Sequence, residues 1–307
     1  MMKKIKCILF LLSCFIFLSA CSSLPGLPSN KDDNVISISG GITTETQILA
    51  GLVDGMIEHY TDYETSVINN LGTAQIDQQA LNNGDVDISA GRYTGTDITT
   101  ILKMDAIKDP KKAFDVSKEE LKSRYNQVRF PSYGFDNTFA FMVREDTAEK
   151  YDLEKVSDLE EISDQLTVGT DRPWLTRVGD GYQGFIQEYG FDFATMLPMQ
   201  IGLVYDAVAS GSVDLVLGYS TDGRVASNNL VILEDDHQFF PPYDATMIVK
   251  QELLDQYPEC KEILDKLVDT IDTKTMQELN YQADNDLVEP SIVARQFLQE
   301  NNYFEDN

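Results

Sequence analysis

The sequence predicts an α/β fold built from two lobes. Segments with the periodicity of strands and of helices alternate from residue 35 onward, which is typical of βαβ units. A short motif of the form Gly-x-Val-Asp-aliphatic occurs twice along the chain. The 307 residues correspond to about two domains of ~150 residues, and an apolar content of 42% is enough for each to bury a core.

The first elements follow the order strand, helix, strand, helix, strand. Residues 35–39 alternate polar and apolar side chains and end in a glycine pair, as a half-buried strand does. Thr43 and Glu45 are typical of a helix start, and apolar residues then recur every three or four positions as far as Met56. Further segments are predicted as a strand over 63–69, a helix over 76–81 and a strand from residue 86. This order predicts parallel pairing of the strands.

The later segments continue the α/β pattern. The charged stretch 108–126 predicts a helix with a solvated face, and the wholly apolar run from Phe139 to Val143 predicts a buried strand. A second run of apolar segments occupies 166–169, 201–209 and 213–217, and the pattern over 253–304 is largely helical.

The repeated motif indicates where a ligand binds. Gly84 and Gly211 each follow an apolar helix-like segment and precede Val-Asp-aliphatic, and a tyrosine follows each copy, at Tyr93 and Tyr219. Ligands of open α/β sheets bind at the carboxyl ends of the strands, so two such lobes facing each other would put both tyrosines in one cleft. The alternative is that the motif is only a common helix-to-strand turn.

The amino terminus has the layout of an export signal. Three lysines precede a mostly apolar stretch over 8–18, which is shorter than the ~20 residues of a membrane-spanning helix. Leu18-Ser19-Ala20-Cys21 resembles a bacterial lipobox, in which the cysteine is acylated. We expect a lipoprotein signal over 1–21 with lipidated Cys21, a flexible linker over 22–34, and lipid anchoring on the extracytoplasmic face of the cell membrane. A plain signal peptide with an incidental cysteine is the alternative.

Composition excludes one class of partner. The 24 Lys+Arg and 51 Asp+Glu residues give 24 − 51 = −27, and a nucleic-acid-binding protein needs clustered basic residues to neutralise phosphates. Once residues 1–21 are set aside, Cys260 is the single cysteine that remains in the sequence. We therefore expect no internal disulfide and interpret Cys260 as structural.

Sequence signatures of enzymes are missing. The chain has neither a Walker-type phosphate loop nor a G-x-G-x-x-G after its first strand, and its two histidines lack the spacing of a zinc site. The stretch 218–223 has Asp222 where a nucleophile elbow around Ser220 needs glycine. We therefore predict a protein without catalytic residues, cofactor or metal, and keep an exported α/β hydrolase as an alternative.

Tyrosines next to turns are the positive signal. Aromatic faces that converge on one point bind a cation that has no N–H to donate, such as a quaternary ammonium, and each ring contributes about 0.5–2 kcal/mol. The tyrosines in polar or Gly/Pro-containing loops are Tyr93, Tyr133, Tyr219 and Tyr243.

A family resemblance brings these tyrosines together. The chain resembles the substrate-binding lipoproteins of osmoprotectant ABC importers of the OpuC and OpuB type, which take glycine betaine, carnitine and choline, over nearly all residues after the signal. The motifs that carry the resemblance are Gly40–Glu45, Asn70–Thr73, Arg92–Asp97, Ser132–Asn137, Gly179–Tyr182, Pro198–Leu203, Tyr219–Arg224 and Phe239–Tyr243.

The resemblance implies a two-lobed periplasmic-binding-protein-like (type II) fold that closes on its ligand in the cleft. We expect lobe 1 to comprise 35–138 and 241–307, and lobe 2 to comprise 139–240. The aromatic box of the family would consist here of Tyr93, Tyr133, Tyr219 and Tyr243. The implied partners are a membrane permease and its ATPase subunit, and we expect a monomer.

Two further positions bear on the choice of ligand. An acidic residue three positions after the first box tyrosine favours choline in the family, so Thr96 predicts acceptance of betaines and carnitine, although it is also suited to capping a helix. Arg177 is the candidate donor to a ligand carboxylate, with Gly41 and Thr43 as further donors. An exposed Arg177 paired with an acidic side chain, and a receptor for a polyamine, remain as alternatives.

Overall fold

The computed structural model describes residues 35–177 and 179–304 of the chain. The predicted signal over 1–21, the lipidation of Cys21 and the linker over 22–34 therefore lie outside the described residues. Within the described part, ten strands form two five-stranded sheets that helices cover, so the predicted α/β fold is confirmed. No helix in these residues is long and apolar enough to cross a bilayer.

The first sheet takes its strands from both ends of the described chain. Its strands are β1 Val35–Ser39, β2 Glu64–Ile68, β3 Ile88–Tyr93, β4 Gln127–Arg129 and β10 Ala245–Lys250. Their order across the sheet is β2-β1-β3-β10-β4. β1 and β3 pair in parallel, whereas β10 lies antiparallel to β3 and β4. The antiparallel pairing brings the start of β10 next to the end of β3.

The second sheet is formed by the middle of the chain. Its strands are β5 Phe139–Arg144, β6 Thr167–Asp171, β7 Thr195–Met199, β8 Leu215–Tyr219 and β9 Leu230–Ile232. The order is β7-β6-β8-β5-β9, with β6 parallel to both β7 and β8. β5 runs antiparallel to β8 and β9, so the start of β5 lies beside the end of β8.

Helices connect the strands and close the chain. The first helix, α1 (Thr44–Tyr60), begins after Thr43, whose hydroxyl accepts a hydrogen bond from the backbone N–H of Thr46. A short helical turn over Thr94–Thr96 leads into a π-helical turn over Asp97–Ile101, and a 3₁₀ segment covers Val156–Gln165. The helices are α1 Thr44–Tyr60, α2 Ala74–Asn83, α3 Pro110–Tyr125, α4 Glu145–Tyr151, α5 Arg172–Thr176, α6 Tyr182–Tyr189, α7 Ile201–Ala209, α8 Gly223–Ser227, α9 Gln251–Gln256, α10 Glu259–Asp265, α11 Thr273–Asp284 and α12 Pro290–Glu300.

The two Gly-x-Val-Asp motifs have the same structural role. Gly84 ends α2 and Gly211 follows α7, both with positive φ (79° and 73°), a conformation that glycine adopts without strain. The carboxylate of Asp87 accepts from the backbone N–H of Ser37, and that of Asp214 accepts in the same way from Thr167. Each aspartate thus ties the turn to the neighbouring parallel strand and fixes where β3 and β8 begin.

Each sheet has its own apolar core. In the second sheet, Trp174 is fully buried among Phe141, Phe185 and Tyr182, and its indole N–H donates to the carbonyl of Asp180. Trp174 is therefore a core residue and not a cleft residue. Cys260 is buried as a free thiol in the core of the first sheet, which agrees with its interpretation as structural.

The C-terminal helices join the parts of the chain that carry the two sheets. The amide of Gln277 in α11 donates to the carbonyl of Ser220, just after β8, at 2.6 Å. A Cβ atom at Gly223 in α8 would lie 2.5 Å from the backbone of Tyr281, so only glycine permits this approach of the two helices.

Candidate functional site

Strand ends from both sheets bring four aromatic residues together. Tyr93 is the last residue of β3, and Tyr243 precedes β10, whose Ala245 pairs with Tyr93. In the second sheet, Phe139 opens β5 and pairs directly with Tyr219 at the end of β8. These four side chains line one cavity of about 240 Å³. Pockets for drug-sized ligands have volumes of about 300–1,000 Å³, so this cavity suits a smaller solute.

The rings are held in place by specific contacts. The ring centroids of Phe139 and Tyr219 are 5.1 Å apart at an interplanar angle of 37°. The backbone N–H of Tyr243 donates to a carboxylate oxygen of Asp136 at 2.9 Å. A Cβ atom at Gly95 would approach the ring of Tyr243 to 3.1 Å, so glycine at this position lets the ring lie against the turn after β3.

The three phenols of the cavity stay neutral. Burial raises the pKa of Tyr219 and of Tyr243. The pKa of Tyr93 is raised well above 10, first by burial and then by the negative charge of Glu45, which accepts the phenol's hydrogen bond. The face of a neutral aromatic ring carries the negative part of its quadrupole, and that face attracts a cation.

The prediction that Tyr133 lines the cavity is wrong. Tyr133 is only 1% exposed, and its hydroxyl donates to the carbonyl of Ala90 at 2.8 Å within the core of the first sheet. Its backbone N–H bonds to the carbonyl of Ala245, so this loop runs along β10 and turns the ring inward. Phe139 is the aromatic residue that completes the cavity instead, although its apolar sequence context predicts only a buried strand.

Thr96 and Arg177 both line the aromatic cavity. The Thr96 side chain makes no helix-capping hydrogen bond, so the capping alternative is not supported. The Arg177 guanidinium lies 5.6 Å from the centre of the Phe139 ring and donates from Nη2 to the hydroxyl of Tyr243 at 3.2 Å. Its Nε donates to Asp180 at 2.7 Å, so Arg177 is also paired with an acidic residue, as the alternative had it.

Gly41 and Thr43 lie in a neighbouring cavity of about 330 Å³. This second cavity shares four residues with the aromatic one, namely Tyr93, Thr96, Asn137 and Tyr219. The Thr43 hydroxyl accepts from the backbone N–H of Thr46 and caps α1, and the Gly41 carbonyl accepts from the backbone N–H of Asn70. The role of Gly41 and Thr43 as donors to a ligand stays a prediction.

The contacts of Ser220 do not support the alternative of a hydrolase with this residue as its nucleophile. The hydroxyl of Ser220 donates to the carbonyl of Asp136 and accepts from the N–H of Thr138, which gives it a structural role between two loops. No group of three or more His, Cys, Asp or Glu side chains in the described residues is arranged to hold a metal ion.

The two sheets and the aromatic cavity at their strand ends define a two-lobed solute-binding protein. Residues 34–300 match the family model of the substrate-binding domain of ABC-type glycine betaine transport systems (OpuAC), and the chain belongs to this family.

Relatives and solved structures agree with this assignment. The chain is 50% identical to the carnitine transport binding protein OpuCC of Listeria monocytogenes over 96% of this chain and 95% of that protein. It is 30% identical to the ergothioneine transport permease/binding protein EgtU of Helicobacter pylori over 94% of this chain and 52% of that one. A crystal structure of a glycine betaine/carnitine/choline ABC transporter protein superposes with a TM-score of 0.86 at 50% identity, covering 88% of this chain and 100% of that one.

Proposed function

We propose that this protein captures quaternary ammonium compatible solutes, namely glycine betaine, carnitine and choline, and delivers them to the permease of an ABC importer for osmoprotection. The observation that carries the proposal is the convergence of Tyr93, Phe139, Tyr219 and Tyr243 on one cavity. Four rings at about 0.5–2 kcal/mol each supply much of the roughly 8 kcal/mol that corresponds to micromolar affinity.

The lining of the cavity favours a methylated cation over a polyamine. Apart from the aromatic rings, it consists of Thr96, Thr99, Thr100, Asn137 and Arg177. None of these is a carboxylate, and a polyamine would need carboxylate acceptors for its N–H donors. Arg177 would instead bind the carboxylate of glycine betaine or carnitine, while the rings hold the trimethylammonium group.

The proposal assigns a role to each segment of the chain. Lobe 1 would comprise 35–138 and 241–307, lobe 2 would comprise 139–240, and the two would close on the ligand as a hinged pair. Lipid on Cys21 would anchor the protein on the extracytoplasmic face of the cell membrane, with residues 22–34 as a tether. The protein would act as a monomer without enzymatic activity, and the ATPase subunit of the importer would supply the energy of transport.

Calorimetry on the purified protein tests the proposal. Glycine betaine, carnitine and choline should bind, whereas spermidine and proline should not. Tyr93→Ala and Tyr219→Ala should each weaken binding severely, and Tyr→Phe at either position should cost less because the ring remains. Binding of spermidine in preference to all three onium ligands would contradict the proposal.

A further inference from the structure

A carboxylate lies directly behind the aromatic cavity. Glu45, in the first turn of α1, is 3% exposed and does not line the cavity. One of its oxygens accepts from the hydroxyl of Tyr93 and from the side-chain amide of Asn137 at 2.8 Å. Both of these donors line the cavity, so one layer of side chains separates Glu45 from the cavity.

The second oxygen of Glu45 is connected, through one side chain, to the segment that follows Tyr219. It accepts from the amide of Asn280 in α11 at 3.2 Å. The same amide nitrogen donates to the carbonyl of Thr221, two residues after Tyr219, at 2.9 Å. Glu45 therefore holds Tyr93 directly and is connected through Asn280 to the chain that follows Tyr219.

The surroundings of Glu45 offer hydrogen-bond donors to both of its oxygens. Three side-chain donors converge on its two oxygens, and its position in the first turn of α1 puts it at the positive end of the helix dipole. In a water-excluded site, its charge acts on a ligand cation more strongly than it would in water.

We propose that Glu45 is a positioning residue of the aromatic cavity and that its buried negative charge sets the preference between cationic and zwitterionic onium ligands. The proposal rests on the proposed function. The carboxylate attracts the trimethylammonium group of every such ligand, but it also repels the carboxylate of glycine betaine. Its net effect is therefore larger for choline, which carries a positive charge alone.

Glu45→Gln tests this inference because it removes the charge and keeps the shape. Calorimetry should give a loss of choline affinity of about tenfold, which corresponds to about 1.4 kcal/mol, and a clearly smaller loss for glycine betaine. The neutral isostere 3,3-dimethylbutan-1-ol should bind the variant as well as or better than the wild type. Asp54→Asn is the matched control, since Asp54 lies on the same helix and bonds to Thr65 away from the cavity.

Two more variants separate charge from structure. Glu45→Asp keeps the charge but shortens the reach to Tyr93, so all affinities should fall while the choline-to-betaine ratio stays near the wild-type value. Tyr93→Phe keeps both the ring and the carboxylate and should also preserve that ratio. Thermal melts give the melting temperature of each variant, and binding is measured well below that temperature, where the variant is folded.

The outcomes distinguish the two proposals. If the wild type binds neither choline nor glycine betaine, the proposed function fails. If the wild type binds both but Glu45→Gln changes the two affinities by the same factor, or by none, the role of Glu45 in selectivity is wrong. An unchanged affinity in Glu45→Asp would contradict the positioning of Tyr93.

Discussion

Phe139 and Tyr219 lie directly opposite each other on antiparallel strands, with their ring centroids 5.1 Å apart. Phe139 is the first residue of β5 and Tyr219 is the last residue of β8, so the pair lies at the strand ends that border the cavity. Cross-strand aromatic pairs stabilise each other, which means that neither ring needs a ligand to hold its orientation. A preorganised pair lowers the entropic cost of binding.

Phe139 should be as important for binding as the tyrosines. Phe139→Ala removes one ring and the partner of Tyr219, and we expect the affinity for quaternary ammonium ligands to fall by about 10- to 100-fold, with Phe139→Tyr close to wild type. Titration calorimetry with glycine betaine measures the effect.

The control for that experiment is Tyr133→Phe. It removes a buried hydroxyl from the core, so it should lower the free energy of unfolding by about 1 kcal/mol and leave binding unchanged. A loss of binding in Tyr133→Phe with full affinity in Phe139→Ala would reverse our assignment.

Sequence reasoning predicted the fold well because the signals were local. Alternation of apolar residues, the glycines that end helices and the Thr43 cap determine most element types without tertiary information. Tyr93 and Tyr219 were predictable as a pair because the repeated motif fixes the start of each strand and hence its end.

The sequence predicts the wrong aromatic residue for one position of the cavity, namely Tyr133 in place of Phe139. Tyr133 lies in a Ser- and Gly-containing loop that looks exposed, yet the loop pairs with β10 and the ring enters the core. Phe139 looks like an ordinary core residue, and only the register of β5 against β8 reveals that it lies opposite Tyr219. The run from Phe139 to Val143 is apolar throughout, so it lacks the alternation of polar and apolar residues that would indicate its register against β8.

Thr96 should control the charge preference of the cavity. Thr96→Asp places a carboxylate in the lining, which attracts choline and repels the carboxylate of glycine betaine. We expect the ratio of choline to betaine affinity to rise by about tenfold or more in competition binding. Thr96→Asn introduces a side chain of the same shape as aspartate but without its charge, so it should not produce this change. An equal shift of the ratio in both variants would assign the effect to the size of the new side chain.

Arg177 should discriminate in the opposite sense. The guanidinium lies at the cavity between Phe139 and Tyr243, where it can bind a ligand carboxylate and repels a net cation. Arg177→Gln should therefore weaken glycine betaine and carnitine binding by about tenfold and leave choline unchanged or tighter. Arg144→Gln, at an ion pair with Asp146 in the second sheet, is the control. Equal losses for betaine and choline would exclude a carboxylate-binding role.

Asp136 should make stability depend on pH. Burial, with a smaller contribution from Asp244, raises its pKa from 3.8 to about 7. Because the folded-state pKa is the higher one, the folded state retains this proton after the unfolded chain has lost it. The stabilisation is complete below about pH 4 and is lost as the pH rises to about 7.

Replacement of Asp136 by asparagine removes that titration. At about 1.4 kcal/mol per pKa unit, the stability of the wild type relative to Asp136→Asn should fall by roughly 2–4 kcal/mol between pH 4 and pH 8. Urea unfolding of both proteins at several pH values measures the difference. Asp136 also accepts the hydrogen bond from the backbone N–H of Tyr243, and asparagine can accept it too, so glycine betaine should still bind the variant. A stability difference that is constant over this pH range would show that Asp136 titrates alike in the folded and unfolded chains.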